Sequence, residues 1–580
     1  MESIVKMADV AYSYPNTEKK TLNQIDIEAP KGKFTVIMGK TGAGKTTTVL
    51  CLNGIIPQLN EGSLSGKIEV AGLDISKYRI QTLAKYVGVV MQDTSTQVFG
   101  STVEEDVAFG PRNYLVPRQE IFRRIQESLR RVRLEGYEKR QTSQLSGGEK
   151  QRLAIAGILA MQSKIIVLDE PTSELDPLGR EEIYTTINDL NKEQDTTILA
   201  VEHSSQEVCE KAEQLIVIND GRTVWAGNPR EFFRDEHLVT ENGIKPLPVA
   251  TVGWLLMRAG LIEQKQVPLN VDQAYELVSA LLNGRPIRYR RPEPAGTQTS
   301  AQNEEIIRIE NLSHVYDNGK KALENVNLSI KRGEFVAIIG QNGAGKTTLV
   351  KHLIQILLPT TGSVWINGEN IKTKNSIELT KVIGYVFQDP DNQIFSNTVY
   401  KELEFGLKNI DIDEEERKKR IEQALALTGL TGKEEEHPFS LGKGERQMIA
   451  VASILVMQPD ILVIDEPTTG QDWAGINRMM SLVETLNQNG TTIVMITHDM
   501  DVVAKYAART IVMTGGSVIL DGETRNVFAA ADALKAAFVV PPQCVQLSQK
   551  LSANGLTDVV MDEQELAGLI IESCGEVQHE

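Results

Sequence analysis

The chain has 580 residues, 41% of them hydrophobic and 24% charged, and its 61 Lys plus Arg against 78 Asp plus Glu leave a formal charge of −17. That length predicts several domains, and the composition excludes a mainly disordered chain. The acidic balance argues against general coating of nucleic acid, which runs on phosphate neutralisation.

Four scattered cysteines (Cys51, Cys209, Cys544, Cys574) make no C-x-x-C pair. They predict buried thiols in a reducing compartment, not a disulfide or zinc framework. No apolar run reaches the roughly 18–20 residues that cross a bilayer. The opening MESIVKMADVAYSYPN has polar breaks where a signal peptide would be apolar. A cytosolic chain is expected, at a membrane only if another protein holds it there.

Taken in chain order, FTVIMG (Phe34–Gly39) predicts a buried strand that runs into GKTGAGKTTTV (Gly39–Val49). A strand, a Gly-rich turn and a helix give G-x-x-x-x-G-K-[ST] its meaning. Gly39, Gly42 and Gly44, interleaved with Lys40, Thr41 and Ala43, let backbone N–H groups curl around phosphate at a helix N-terminus. Lys45 is placed for the β- and γ-phosphates, the Thr46 hydroxyl for Mg²⁺, and Thr47 closes the cradle. VGVVMQD (Val87–Asp93) reads as a strand ending at Gln92, and LSGGEKQR (Leu145–Arg152) as a Gly-bearing turn into a helix. KIIVLDEP ends an apolar strand in two carboxylates, Asp169 for Mg²⁺ and Glu170 to polarise the attacking water. TTILAVEH predicts another buried strand, ending at His203.

The second half repeats these motifs in the same order, displaced by 301 residues at Lys45/Lys346 and by 296 at Glu170/Glu466. The second phosphate loop comprises Gly340, Gln341, Asn342, Gly343, Ala344, Gly345, Lys346, Thr347 and Thr348. Gln388, Asp465, Glu466 and His498 match Gln92, Asp169, Glu170 and His203. Two matched sets in matched order mean a tandem duplication. The predicted fold class is α/β: two tandem P-loop NTPase domains, each with a small, mainly helical C-terminal extension. The expected boundaries are 1–235 and 236–283 for the first domain and its extension, 284–304 for a Pro- and Arg-bearing tether, and 305–532 and 533–580 for the second pair.

Together these motifs resemble the ABC ATPases, twice over. The resemblance implies ATP and Mg²⁺ as ligands, with Tyr14 (or Tyr12) and Tyr316 as the aromatics stacking on adenine. It makes Gln92 and Gln388 γ-phosphate and metal contacts, Glu170 and Glu466 catalytic, and His203 and His498 γ-phosphate contacts. Asp176 and Asp472 match the loop that crosses the dimer interface. The segments QDTSTQVFGSTVEEDVAFGP (Gln92–Pro111) and QDPDNQIFSNTVYKELEFGL (Gln388–Leu407) resemble the energy-coupling-factor importers. That likeness implies a transmembrane coupling protein and a substrate-specific membrane subunit as partners, no nucleic acid, and a place on the cytoplasmic face of the membrane. A fused sugar-importer ATPase and a soluble tandem ATPase acting on ribosomes are the alternatives.

The copies diverge at the signature. Ser146, Gly147, Gly148 and Glu149 of the first half become Gly442, Lys443, Gly444 and Glu445 in the second. In the family two heads sandwich two ATP molecules, each phosphate loop facing the other head's signature. With this arrangement Lys346, Glu466 and His498 face the intact Ser146–Gly148 and are expected to carry most of the turnover; the alternative is that Lys443 serves as a phosphate donor and both sites turn over.

Overall fold

The computed structural model describes every residue except 1, 16, 18, 174, 195, 290–303, 411 and 576–580. Of the tether expected over 284–304, residues 290–303 therefore lie outside the described residues. The chain divides into two units, Met1–Leu247 and Pro248–Glu580.

In the first unit the strands Phe34–Met38, Ile165–Asp169 and Thr197–Val201 are buried at every position. Continuous runs of Val, Ile and Leu have no polar face to offer water, so they lie in the middle of a parallel sheet covered on both sides. Among the described residues that sheet has six strands, in the order Arg222–Gly227, Gln214–Asn219, Phe34–Met38, Thr197–Val201, Ile165–Asp169, Val87–Val90. All neighbours are parallel except the first pair, which forms an antiparallel hairpin at the edge. A second antiparallel sheet, of four strands among the described residues, is built on Ser3–Ser13 and Leu22–Pro30. Its residues Val5, Met7, Ile25 and Ile27 share one apolar core with Val49, Leu52, Ile165 and Val167. Burial of each such side chain contributes about 1.5–3 kcal/mol, which fixes the phosphate-loop helix Lys45–Leu52 between the two sheets.

The second unit repeats both sheets in the same strand order, with Phe335–Ile339 next to Thr492–Ile496 and Arg509–Thr514. It also contains residues 248–283 of the first extension, whose residues 236–247 belong to the first unit, and the whole of the second extension as described. Pro248–Arg258 and Val271–Leu282 pack with Gln543–Lys550 and Glu563–Gly575, burying Trp254, Val278, Val545, Leu547 and Ile570. Polar ties close this helical body. The Ile287 N–H donates to the Asn554 carbonyl at 2.8 Å, Arg285 Nη1 to the Cys574 carbonyl at 3.0 Å, and Lys550 pairs with Asp272. The extension that follows the first core thus finds its partner in the extension that follows the second. Cys51, Cys209 and Cys544 are buried thiols, and among the described residues all four cysteines are unbridged. No helix among the described residues is long and apolar enough to cross a membrane.

Candidate functional site

Each phosphate loop leaves the C-terminal end of a central strand and enters a helix through a left-handed glycine, Gly44 at φ 98° and Gly345 at φ 100°. Gly39 and Gly340 open the loops at φ 149° and 145°. A Cβ there would lie 1.9 Å from the Ile218 carbonyl oxygen or 2.1 Å from that of Met513. The neighbouring strand, not only the ligand, therefore demands glycine. Lys45 Nζ donates to the carbonyls of Gly39 and Lys40, both at 2.9 Å, and Lys346 Nζ to those of Gly340 at 2.7 Å and Gln341 at 3.1 Å. Both ammonium groups are thereby held against the curled backbone that offers its N–H groups to phosphate.

The two candidate adenine aromatics of the first unit are separated by burial. Tyr12 is 1% exposed and donates to the Glu61 carbonyl at 2.9 Å. Tyr14 stands edge-on to it, half-buried, its hydroxyl 3.3 Å from Thr47 Oγ1. Tyr316 occupies the same place in the second unit, 3.1 Å from Thr348 Oγ1.

Beyond the loop the carboxylates converge. Glu170 and Glu466 sit at φ 49° and 51°, a left-handed backbone that costs a non-glycine residue about 1–3 kcal/mol and turns its side chain out of the strand line. Glu170 accepts from Gln92 Nε2 at 2.7 Å and lies 3.0 Å from His203 Nε2. In the second unit Glu466 lies 3.0 Å from His498 Nε2 and accepts the His498 N–H at 3.2 Å. His498 Nε2 is also 3.0 Å from Asn342 Oδ1 of the phosphate loop, whereas Gln388 is exposed. Gln92, Glu170 and His203 are therefore gathered in one unit, and Glu466, His498 and Asn342 in the other.

Asp169 is 1% exposed, and burial, with the Glu170 charge beside it, pushes its carboxyl up to about 6. Its Oδ1 is buried with no hydrogen-bond partner among the described residues. A buried carboxylate oxygen without a donor, beside the Thr46 hydroxyl and Lys45, fits a hard cation. Among the described residues no three His, Cys, Asp or Glu side chains gather as a metal cage. At Asp465 the carboxylate instead accepts the Tyr385 hydroxyl at 2.9 Å. The sequence reading missed Tyr385. The signal was available in VGVV against IGYV, where Val89 faces Tyr385 in the repeat.

The signature segments begin helices Gly147–Met161 and Lys443–Leu455. Ser146 Oγ accepts the Glu149 N–H at 3.3 Å while Glu149 accepts the Ser146 N–H at 2.7 Å, a reciprocal cap that leaves Ser146 and Gly147 exposed. Gly442 supplies only the second of these bonds, to Glu445 at 3.1 Å. Lys443 lies over Gly470, close enough that a Cβ there would be 3.0 Å from its Nζ. Gly148 and Gly444 lie against Leu175 and Gln471 of the following loops. Asp176 and Asp472 accept the N–H groups of Gly179 at 2.8 Å and Gly475 at 2.7 Å, capping the helices Pro177–Gln194 and Trp473–Gln488.

Glu202, beside His203, is buried and held by Thr172 at 3.1 Å, and burial raises its carboxyl to about 8. Thr497 stands at this place in the second unit. The folded state therefore keeps a proton that an unfolded glutamate gives up above its ordinary 4.5. Any cost of that retention is absent below pH 4.5, grows with pH and levels off above about 8. Glu202→Gln, neutral at every pH, is expected to match wild-type thermal stability near pH 4.5 and to exceed it increasingly up to pH 8. Melting temperatures across that range check the slope.

The family described as ABC transporter matches residues 22–173 and 323–469. A Methanosarcina mazei protein named as an ABC transporter ATP-binding protein is 40% identical over 561 residues, 96% of this chain and 95% of its own length. One of the same description from Caldanaerobacter subterraneus subsp. tengcongensis is 40% identical over 96% of this chain and 97% of its own. Among solved structures, cbiO1 of Clostridium perfringens, described as part of the ABC transporter complex cbiONQ, is 38% identical. It covers 40% of this chain and 94% of its own, with a TM-score of 0.38.

Proposed function

The chain belongs to the ABC transporter family as a tandem ATP-binding, ATP-hydrolysing protein, and from that premise we propose that it energises an energy-coupling-factor importer of a small solute such as a vitamin or metal ion. The observation that carries this reading is a pair of exposed phenylalanines in each unit, inside the segments that follow Gln92 and Gln388. Phe99 and Phe109 stack at 5.8 Å with 71% and 53% exposure. Phe395 and Phe405 meet edge-on at 4.6 Å with 62% and 52% exposure. Each pair is pinned from below. Asp106 accepts the N–H groups of Phe99 and Gly100 at 2.8 and 2.9 Å, and Glu402 those of Phe395 and Ser396 at 3.1 and 2.7 Å. Fixed aromatic pairs in water are the anchors a partner's helix would bury. The partners in this reading are a transmembrane coupling protein and a substrate-specific membrane subunit, which hold the chain on the cytoplasmic face.

In the proposed cycle Tyr14 and Tyr316 stack on adenine, and the loops Gly39–Thr47 and Gly340–Thr348 wrap the phosphates. Lys45 and Lys346 meet the γ-phosphate, as do His203 and His498. Thr46, Asp169 and Gln92, and Thr347, Asp465 and Gln388, would hold the Mg²⁺ that neutralises phosphate charge. Glu170 or Glu466 accepts a hydrogen bond from the attacking water, whose oxygen bonds to the γ-phosphorus as the bond to ADP breaks. In the family's arrangement each loop works with the opposite signature. ATP then favours the closed state and hydrolysis releases it, driving the partner between two conformations.

The partner test is co-purification from detergent-solubilised membranes of the native host. Multi-span membrane proteins are expected to accompany the wild-type chain, and Phe99→Asp with Phe395→Asp is expected to reduce them at least tenfold. Ribosomal proteins in their place would overturn the importer reading.

A further inference from the structure

At the end of the first unit's parallel sheet remote from the phosphate loop, the segments leading into Phe34–Met38, Ile165–Asp169 and Thr197–Val201 border a cavity of about 460 Å³. Lys31, Arg124, Arg131 and Lys164 line it, with Glu127 as the lining carboxylate. A concentration of four cations is unexpected on a chain of net charge −17. Glu127 accepts from Arg131 Nη2 at 2.7 Å and from Arg123 at 3.0 Å, so its single charge is already shared. Arg124 is spoken for by Glu120 and by the Ala160 carbonyl, where it serves a helix C-terminus. Two donors among the lining residues are not: Arg131 Nη1 and Ser163 Oγ are buried without a hydrogen-bond partner among the described residues.

The repeat supplies an internal control. At the equivalent positions of the second unit Lys164 becomes Asp460, Arg131 becomes Leu427 and Ser163 becomes Pro459. Arg332, which matches Lys31, there pairs with Asp460 at 3.4 Å. The fold therefore does not require a cation at Lys164 or at Arg131, since the other copy has Asp460 and Leu427 at those places. An unsatisfied buried donor destabilises the empty protein, a penalty that an acceptor-rich guest removes.

We propose that this cavity is a binding site for a small soluble anion carrying two or more phosphate charges, separate from both nucleotide loops. Arg131 Nη1 and Ser163 Oγ, buried without a partner among the described residues, supply the donors, and Lys164 supplies charge. A volume of 460 Å³ is in the range of small-molecule sites.

The test uses the full chain with both nucleotide loops saturated by a non-hydrolysable ATP analogue and Mg²⁺, titrated calorimetrically with inorganic pyrophosphate. One further site per chain is expected, weakening as NaCl is raised. Lys164→Asp and Arg131→Leu, which copy the second unit, are each expected to weaken that site at least tenfold, with unchanged ATP turnover without pyrophosphate. Absence of binding to the wild-type chain at millimolar pyrophosphate would overturn the proposal, as would wild-type affinity in both variants. Binding to phosphatidylglycerol vesicles that the same substitutions abolish, with no binding of pyrophosphate, would overturn the soluble ligand in favour of a lipid headgroup.

Discussion

Replacing Glu466 by Gln is expected to lower steady-state ATP turnover of the whole chain by about 10²–10³-fold, a typical loss when a group acting on the attacking water is removed. Glu170→Gln is expected to lower it by no more than about half. Both glutamates are held in left-handed backbone beside a histidine, so the difference does not come from the carboxylates themselves. In the proposed arrangement, where each loop works with the opposite signature, it comes from the difference between the two signatures. The loop containing Lys346 is matched with Ser146, whose exposed hydroxyl tops a capped helix. The loop containing Lys45 is matched with Gly442, which has no hydroxyl, and with Lys443, whose side chain lies along Gly470. A γ-phosphate cage short of one hydroxyl donor loses stabilisation where charge develops in the transition state. Single-turnover and steady-state rates for the two variants check the claim, and equal losses would remove the asymmetry while leaving the ATPase intact.

The second large effect is expected at Gly340. Gly340→Ala places a methyl 2.1 Å from the Met513 carbonyl oxygen on a backbone at φ 145°. Neither party can yield, because Met513 belongs to the strand paired with Phe335–Ile339, and that strand delivers the loop. Backbone strain and overpacking together are expected to cost about 2–4 kcal/mol. The loop curl that offers N–H groups to phosphate would go with it, so binding of an ATP analogue at this site should fall by at least a hundredfold. Gly343→Ala is the control. Its Cβ meets nothing within 4 Å, and only its φ of 80° opposes the change, so a cost of about 1 kcal/mol is expected. Denaturant unfolding and analogue titration of both variants would show whether steric contact, and not loss of glycine as such, sets the effect.

The sequence by itself determined the doubled α/β architecture, because each copy is written in contiguous code. Uninterrupted apolar runs can only be covered strands, and a glycine turn between such a strand and a helix can bind phosphate with backbone alone. Tertiary structure decided matters that depend on partners far apart in the chain. Tyr12 and Tyr14 are equal in sequence, yet only Tyr12 finds the Glu61 carbonyl and disappears into the core. Gln92 and Gln388 sit in matching motifs, but only Gln92 reaches its glutamate. Tyr385 reaches Asp465 across eighty residues of sequence. Each extension reads as the tail of the core before it, and the two close on one another because an amphipathic helix hides its apolar face against whichever surface folding brings near. Periodicity and short motifs record what a segment needs; burial and long-range hydrogen bonds settle which neighbour provides it, and that choice is made only when the whole chain is packed.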